Sequence, residues 1–475
     1  MQRGFSHIKI NPSIDRAAGS LYLMTMERKQ YPEHKKGGYA EVWHIAYPAV
    51  LTMVSQTVMT FVDTMMVGRL GPTELAAVGL SGTLTWGLFS FFNGLVNGVN
   101  TFVAQNYGAR RFDDIGRVTW QGVYFALVSG VILIFLSRYN VELMRLLGPA
   151  DDVQRIGSSY LGIRMWGGVF IVLYMCFSAY LRGIGDTRTP LKIVIFINLL
   201  NVAGDYVLIF GKLGFPRLGT DGAAYATVGA SGVGALIFLL VFLSRKSNEM
   251  FSTRSTWRVR LDLMDRLSRV GLPMGLQWLL DMASFIVFSA LIGRIGTLEL
   301  AASTAGLRLM HLSFMPVFGV SIAATTLVGQ YIGSEEIPRA TRSGYTAIKM
   351  SMLYAGLIAL LFLIIPRQLV MLINQDPEVV KLGVMILRVA AIFLLFDSMG
   401  IAANGSLRGA GDTRWAMIIG VGYAWFIFVP LAYIGAIALK GGAVGAWGGA
   451  TVYIIALGLT YFLRFRTGKW RSIKI

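Results

Sequence analysis

GRLGPTELAA at residues 68–77 returns as GRIGTLELAA at 293–302, with seven of ten residues identical. The same register, 225 positions apart, pairs Pro48 with Pro273, Gly94 with Gly319, Thr101 with Thr326, Gln105 with Gln330 and Gly108 with Gly333. A second match, LRGIGDTR at 181–188 against LRGAGDTR at 407–414, sits at an offset of 226. Each half of the chain is therefore one copy of the same structural unit. Residues kept in both copies read as scaffold. Residues that differ between the copies are where function is sought.

The chain has 475 residues, 55% hydrophobic and 14% charged, with mean hydropathy +0.60. That balance suits a polytopic membrane protein and no ordinary soluble domain. Apolar runs of about 20 residues, long enough to cross a bilayer, occur about twelve times. In the first half they fall near 42–69, 80–105, 118–138, 157–180, 190–211 and 221–244. In the second they fall near 270–292, 302–330, 345–365, 381–406, 415–438 and 442–464. The expected fold is all-α, with twelve transmembrane helices in two six-helix bundles, at 41–244 and 270–465, related by a pseudo-two-fold repeat. A polar tail at 1–40, a linker at 245–269 with a short amphipathic surface helix, and a basic tail at 466–475 complete it. The 55 glycines fit close helix approach in lipid.

The net charge of +18 is unevenly spread. With both termini on one side, that side holds about 30 of the 43 Lys and Arg, the positive-inside pattern of a multi-pass protein with cytoplasmic termini. Anionic lipid accounts for this charge; nucleic acid is not an expected partner. Cys176 is the single cysteine and lies in a span, so no disulfide framework exists. Residues 1–40 hold no apolar stretch of signal-peptide length, and Met24 or Met26 competes with Met1 as the start. His7, His34, His44 and His311 share no metal-ligand spacing. No Gly-rich loop ends in Lys-Ser or Lys-Thr, and GASGVG at 229–234 lies within an apolar span, where small residues serve packing. An enzyme, a bound cofactor and direct ATP drive are not expected.

Most of the 25 Asp and Glu fall in loops or at span ends, but Asp63, Asp205, Asp281 and Asp397 do not. A carboxylate near the bilayer centre costs about 2.5–3.5 kcal/mol on insertion scales, so it faces a partner or a wet cavity. Counting 1.5 Å per residue back from Arg69 puts Asp63 about 10 Å below the outer boundary. Asp205, counted back from Gly211, reaches nearly the same depth, so the two can meet. Asp281 and Asp397 both fall near mid-membrane in the second half. None has an acidic counterpart: Asp63 corresponds to Phe288, Asp281 to Gln56, Asp397 to Ile171 and Asp205 to Leu431. They are read as cation ligands or proton carriers acquired separately in each half.

Asn198, Asn201 and Asp205 share one helical face, and amide oxygens complete a sodium shell or hydrogen-bond a protonated carboxyl. Asn93, Asn97 and Asn100 form a second stripe; with Gln56 they are candidates to line a substrate cavity. Gln105 and Gln330 repeat and are assigned to scaffold. Arg164 and Arg388 are expected to snorkel outward from span ends, and Arg308 also lies near an outer end. The LRG-x-GDTR segments read as tight cytoplasmic turns whose Arg182, Arg188, Arg408 and Arg414 anchor the inner boundary. Pro48 and Pro273 mark a shared helix bend or start.

VDTMMVGRLG in the first span, NLLNVAGDYVLIFG in the fifth, and the LRGIGDTR and LRGAGDTR turns resemble the multidrug and toxic compound extrusion (MATE) transporters, from about residue 40 to 465. The resemblance implies a cation-coupled antiporter, driven by Na+ or H+, that exports organic and often cationic drugs by alternating access between two six-helix bundles. It assigns Asp63 to the family's first-helix acid and Asn201 with Asp205 to its fifth-helix Asn-x-x-x-Asp. Asp397, in FDSMGIAANGSLRG, matches the tenth-helix acid of the NorM-type branch. Asp281, in GLPMGLQWLLDMASF, occupies the seventh-helix position where that branch usually has Glu. A sodium ion is expected at Asp281 and Asp397 or at Asp63 and Asp205, and which bundle holds the coupling site stays open. The expected setting is the cytoplasmic membrane, as a monomer, with amphipathic small molecules and lipid as partners. The alternative is a lipid-linked precursor flippase of the same superfamily.

Overall fold

The structure is a computed structural model that describes Pro32, residues 35–473 and Ile475. The tail expected at 1–40 lies mostly outside the described residues, as do Met24, Met26, His7 and His34. Among the described residues every regular element is helical. Eleven of the described helices are long and apolar enough to cross a bilayer, and a bent pair supplies a twelfth crossing. In chain order the first six are α1 (Tyr39–Gly68), α2 (Pro72–Gly108), α3 (Phe112–Leu136), α4 (Asp151–Trp166 continued by Gly168–Gly183), α5 (Arg188–Phe210) and α6 (Gly219–Phe242). The second six are α7 (Leu261–Ile295), α8 (Thr297–Gly333), α9 (Ile337–Ile364), α10 (Pro377–Gly409), α11 (Thr413–Ala438) and α12 (Gly442–Thr467).

The repeated GRxG-x-x-E stretch forms the sharp turn from α1 into α2 and from α7 into α8. Glu74 and Glu299 sit in the first turn of α2 and α8, where a carboxylate complements the positive end of the helix dipole. Each folds back over the glycine before its helix: a Cβ on Gly71 or Gly296 would lie 2.5 or 2.2 Å from that carboxylate. The glycine and the acid are kept together for this reason. The duplication also extends to unlike sequence. A short helix, Asn140–Arg145, precedes α4, and another, Pro366–Met371, precedes α10 at the equivalent place.

Three expectations need correction. The fourth span is not continuous: its two pieces bend by 48° at Gly167, where Val228 packs so closely that a Cβ would meet its methyl at 2.3 Å. The seventh helix begins at Leu261, well before residue 270, because Asp262 and the basic residues after it continue the helix beyond the apolar run. Pro48 and Pro273 lie inside α1 and α7, which excludes the helix start and leaves the bend of the two readings. The linker does hold a short helix, Arg245–Phe251. Its continuation is tied to α3, where Trp120 donates to the Thr253 carbonyl at 2.7 Å and Gln121 to that of Arg258 at 3.2 Å.

The halves α1–α6 and α7–α12 meet by exchange: α2 packs along α7, α8 packs along α1, and α2 and α8 pack on each other. That contact is confined to one end. From Gly94 to Asn106 every α2 residue but Asn97 is buried, and from Val317 to Tyr331 every α8 residue but Phe318 and Ile322. These stretches adjoin the face that carries the arginine-rich linker, here called the basic face. Toward the opposite face both helices are only intermittently covered, so the halves close at the basic face and part away from it.

Candidate ion and substrate sites

Asp205 of α5 is fully buried, and Asn201, one turn before it, is nearly so. Asp63 of α1 is half-buried and faces Asp205, as the depth count expects. Asn198 is on the same face of α5 and donates to Ser55 Oγ of α1 at 2.8 Å, fixing the two helices in register. Asp63 and Asp205 pair with each other through their carboxyls; outside that pair neither Asp205 oxygen, nor Asp63 Oδ1, nor Asn201 Nδ2 finds a hydrogen-bond partner. An unsatisfied buried polar atom costs about 1–3 kcal/mol, more when charged, so a proton or cation bound here would relieve that cost.

Arg164 corrects the outward-snorkelling expectation. Its guanidinium is the cation acting on both Asp63 and Asp205, it lies 6.0 Å from the Phe89 ring centre, and its Nε and Nη1 are buried without partners. The bend in α4 follows three residues later, at Gly167. Tyr160, one turn before Arg164, senses all three charged groups. Neither residue was legible as part of the site, since a basic residue near a span end looks like an interface anchor.

In the second half Asp281 of α7 and Asp397 of α10 do not face each other as directly. Tyr453 of α12 lies within electrostatic reach of both. Asp281 is also within reach of Arg408, and its Oδ1 is buried and unpartnered. Around it Arg408 donates to Gln277 Oε1 at 3.3 Å, Gln277 donates to Tyr461 Oη at 3.1 Å, and Tyr461 donates to the Ala416 carbonyl at 2.9 Å. Among the described residues no three His, Cys, Asp or Glu side chains gather into a metal cluster. A monovalent ion at either acid pair would therefore complete its shell with amide and hydroxyl oxygens.

The turn arginines divide. Arg188 and Arg414 are exposed, as expected of boundary anchors. Arg182 and Arg408 instead turn inward at the ends of α4 and α10. Arg182 donates to Asn97 Oδ1 at 2.9 Å, and Asn97 donates to Asn93 Oδ1 at 2.7 Å. Arg408 lies over the Trp278 ring at 5.7 Å. Trp278 contacts Phe318 at 5.7 Å and Trp86 at 6.5 Å. The less-buried positions of the central helices thus present amides from α2 and aromatic and aliphatic side chains from α8. Asn100 departs from the cavity expectation: it is buried and meets Thr326 across the interface at 3.4 Å. Gln56 is half-buried on α1.

A family model described as MatE matches residues 48–207 and 273–434, one match per half, beginning at the repeated prolines. The chain belongs to the MatE family of transporters. Among its relatives, the probable multidrug resistance protein NorM of Thermotoga maritima is 29% identical over 95% of this chain and 97% of its own length. The protein of the same name from Synechocystis is 30% identical over 90% of this chain and 94% of its own. Two solved structures align with a TM-score of 0.83 at 23% identity, over 90% of this chain and 95% of theirs. One is described as a MOP superfamily transporter from Pyrococcus furiosus with a binding pocket of reversed polarity, the other as a multidrug resistance MATE transporter in an outward-facing conformation. This likeness places the MatE fold, twelve helices in two bundles, on about 90% of the chain.

Proposed function

We propose that this MatE protein is a cation-coupled antiporter that exports organic, often cationic, compounds across the cytoplasmic membrane. The basic face is assigned to the cytoplasm, with both termini on that side. The observation that carries the reading is the Asp63–Asp205–Asn201–Arg164 cluster, whose two buried carboxyls face each other, find no partner outside that pair and have no acidic counterpart in the repeat. Na+ or H+ arriving from outside neutralises these carboxylates, or those of Asp281 and Asp397, and shifts the helices that carry them. A cationic substrate competes for the same negative charge, so ion and substrate exchange. The amide edge at Asn93 and Asn97 and the Trp86–Trp278–Phe318 face supply hydrogen bonds and stacking for amphipathic molecules. The protein acts as a monomer among lipids.

Drug efflux from proteoliposomes, with sodium and pH gradients imposed independently, tests this and assigns the ion. Full coupled transport by an Asp63→Asn, Asp397→Asn double variant would defeat the assignment. The flippase reading draws support from the inward-turned Arg182 and Arg408, which suit phosphate. Arg182 is engaged by Asn97, however, and Arg408 has Asp281 beside it, which leaves no strongly cationic chamber. Export of a fluorescent organic cation without any lipid-phosphate competition separates the two.

A further inference from the structure

The side chains kept in both copies do more than hold the fold. At the basic end of α2, Thr101 Oγ1 donates to the Arg408 carbonyl and Gln105 Nε2 to the Gly409 carbonyl, each at 3.0 Å. At the basic end of α8, Thr326 Oγ1 donates to the Arg182 carbonyl at 3.1 Å and Gln330 Nε2 to the Gly183 carbonyl at 2.8 Å. Donors and acceptors are repeat equivalents, and every bond runs from one half to the other. Gly183 and Gly409 are the last residues of α4 and α10, buried, where helix carbonyls lack partners within their own helix. The glutamines from the opposite half supply the missing donors.

The backbones approach as closely as the repeat permits. A Cβ on Gly108 would lie 1.8 Å from the Gln330 carbonyl oxygen, and one on Gly333 would lie 1.9 Å from that of Gln105. Only glycine fits at either position. Away from this layer α2 and α8 lose their continuous cover.

We propose that Thr101, Gln105, Thr326 and Gln330 form a two-fold-related gate that shuts the basic face and opens once in each transport cycle. Apolar side chains also cross between the halves here, Val99 and Val103 sharing a buried cluster with Leu267 and Val270, and Val42 and Ile45 one with Leu327 and Val328; against that background a polar layer is the part that water can replace. A neutral hydrogen bond exchanged for one to water shifts an equilibrium by only about three- to tenfold, so four such bonds bias the face toward the shut state, beside the apolar contacts, yet release it. The amides and hydroxyls become solvated as the face opens, and the glycines let the two helix ends return to contact. Gln105 and Gln330 are thus positioning residues for the conformational change, distinct from the ion and substrate groups.

This inference rests on the alternating-access reading, and the test separates the two. Spin labels at Arg188→Cys and Arg414→Cys, both exposed and in opposite halves, report the separation of the basic ends; Cys176 is fully buried and stays unlabelled. Pulsed distance measurements in proteoliposomes should show short and long populations in the otherwise wild-type chain as ion and substrate are varied. Gln105→Leu, Gln330→Leu should raise the long-to-short ratio by at least about tenfold. Thr326→Val should raise it by less, and Thr326→Ser, which keeps the hydroxyl, should restore the wild-type ratio. A single Gln105→Leu variant serves where the double variant does not fold. Unchanged ratios in the Leu and Val variants, with both populations present in the wild type, would overturn the gate alone. A wild type that shows no long population under any gradient would remove alternating access and the gate with it.

Discussion

At the level of Asp63 the first half holds two facing carboxyls, an arginine and an amide; at the equivalent Phe288 the second half is packed aromatic core. Phe288 is 1% exposed, with ring contacts to Phe428 at 5.0 Å and Trp447 at 5.1 Å. The exchange runs both ways. Asp281 and Asp397 stand where the first half has the half-buried Gln56 and the core residue Ile171. One backbone plan therefore accepts a charged chamber or an apolar block at the same place, provided the neighbours change with it. The glutamines at the basic ends were not free to diverge, because each supplies a donor to the Gly183 or Gly409 carbonyl of the opposite half, so a change in one copy leaves a carbonyl in the other unsatisfied.

The largest expected effect attacks the charged side of this contrast. Asp205→Asn should reduce ion-driven efflux by about 100-fold, the scale of losing one or two charge-assisted contacts. Coupled transport near the wild-type rate would place the coupling ion in the second half. The converse exchange, Phe288→Asp, should destabilise the protein by about 4 kcal/mol or more, through a lost ring and a carboxylate buried in apolar core. Thermal unfolding in detergent measures it, and an unchanged midpoint would mean that the halves are not specialised as described. Trp278→Ala should weaken binding of an aromatic organic cation by about 3- to 30-fold, the range for removing one cation–π or stacking face. Equal affinity in an equilibrium binding titration would move the substrate off that face. Smallest is Tyr453→Phe, with about a threefold change in ion dependence from one hydroxyl within electrostatic reach of Asp281 and Asp397. A change as large as that of Asp205→Asn would make the second-half pair the principal ion site.

The depth count along α1 and α5 foretold the meeting of Asp63 with Asp205, because helix rise is constant and both spans end at recognisable turns. Gly211, with its left-handed φ of 66°, ends α5 at the expected place. Arg164, Arg182 and Arg408 were not legible in the same way. Near a span end an arginine can reach outward to the interface or inward to a carboxyl or amide, and local sequence is alike in the two cases. The bend at Gly167 and the termination of α4 and α10 beneath the opposite half turn these three inward. Tyr453 was missed for a related reason: an aromatic in an apolar helix carries no mark of what its hydroxyl faces.

By itself the amino-acid sequence determined the duplication, the number of crossings, the basic side and the four membrane-depth acids. These depend on composition, period and the high free energy of charge in lipid, which act locally along the chain. Only the tertiary structure decided which arginines enter the sites, that Asn100 belongs to the interface, and that Gln105 and Gln330 bond across the halves. Those outcomes depend on which helix end comes to lie beneath which neighbour, a consequence of packing α2 on α7 and α8 on α1 that no stretch of either half contains alone.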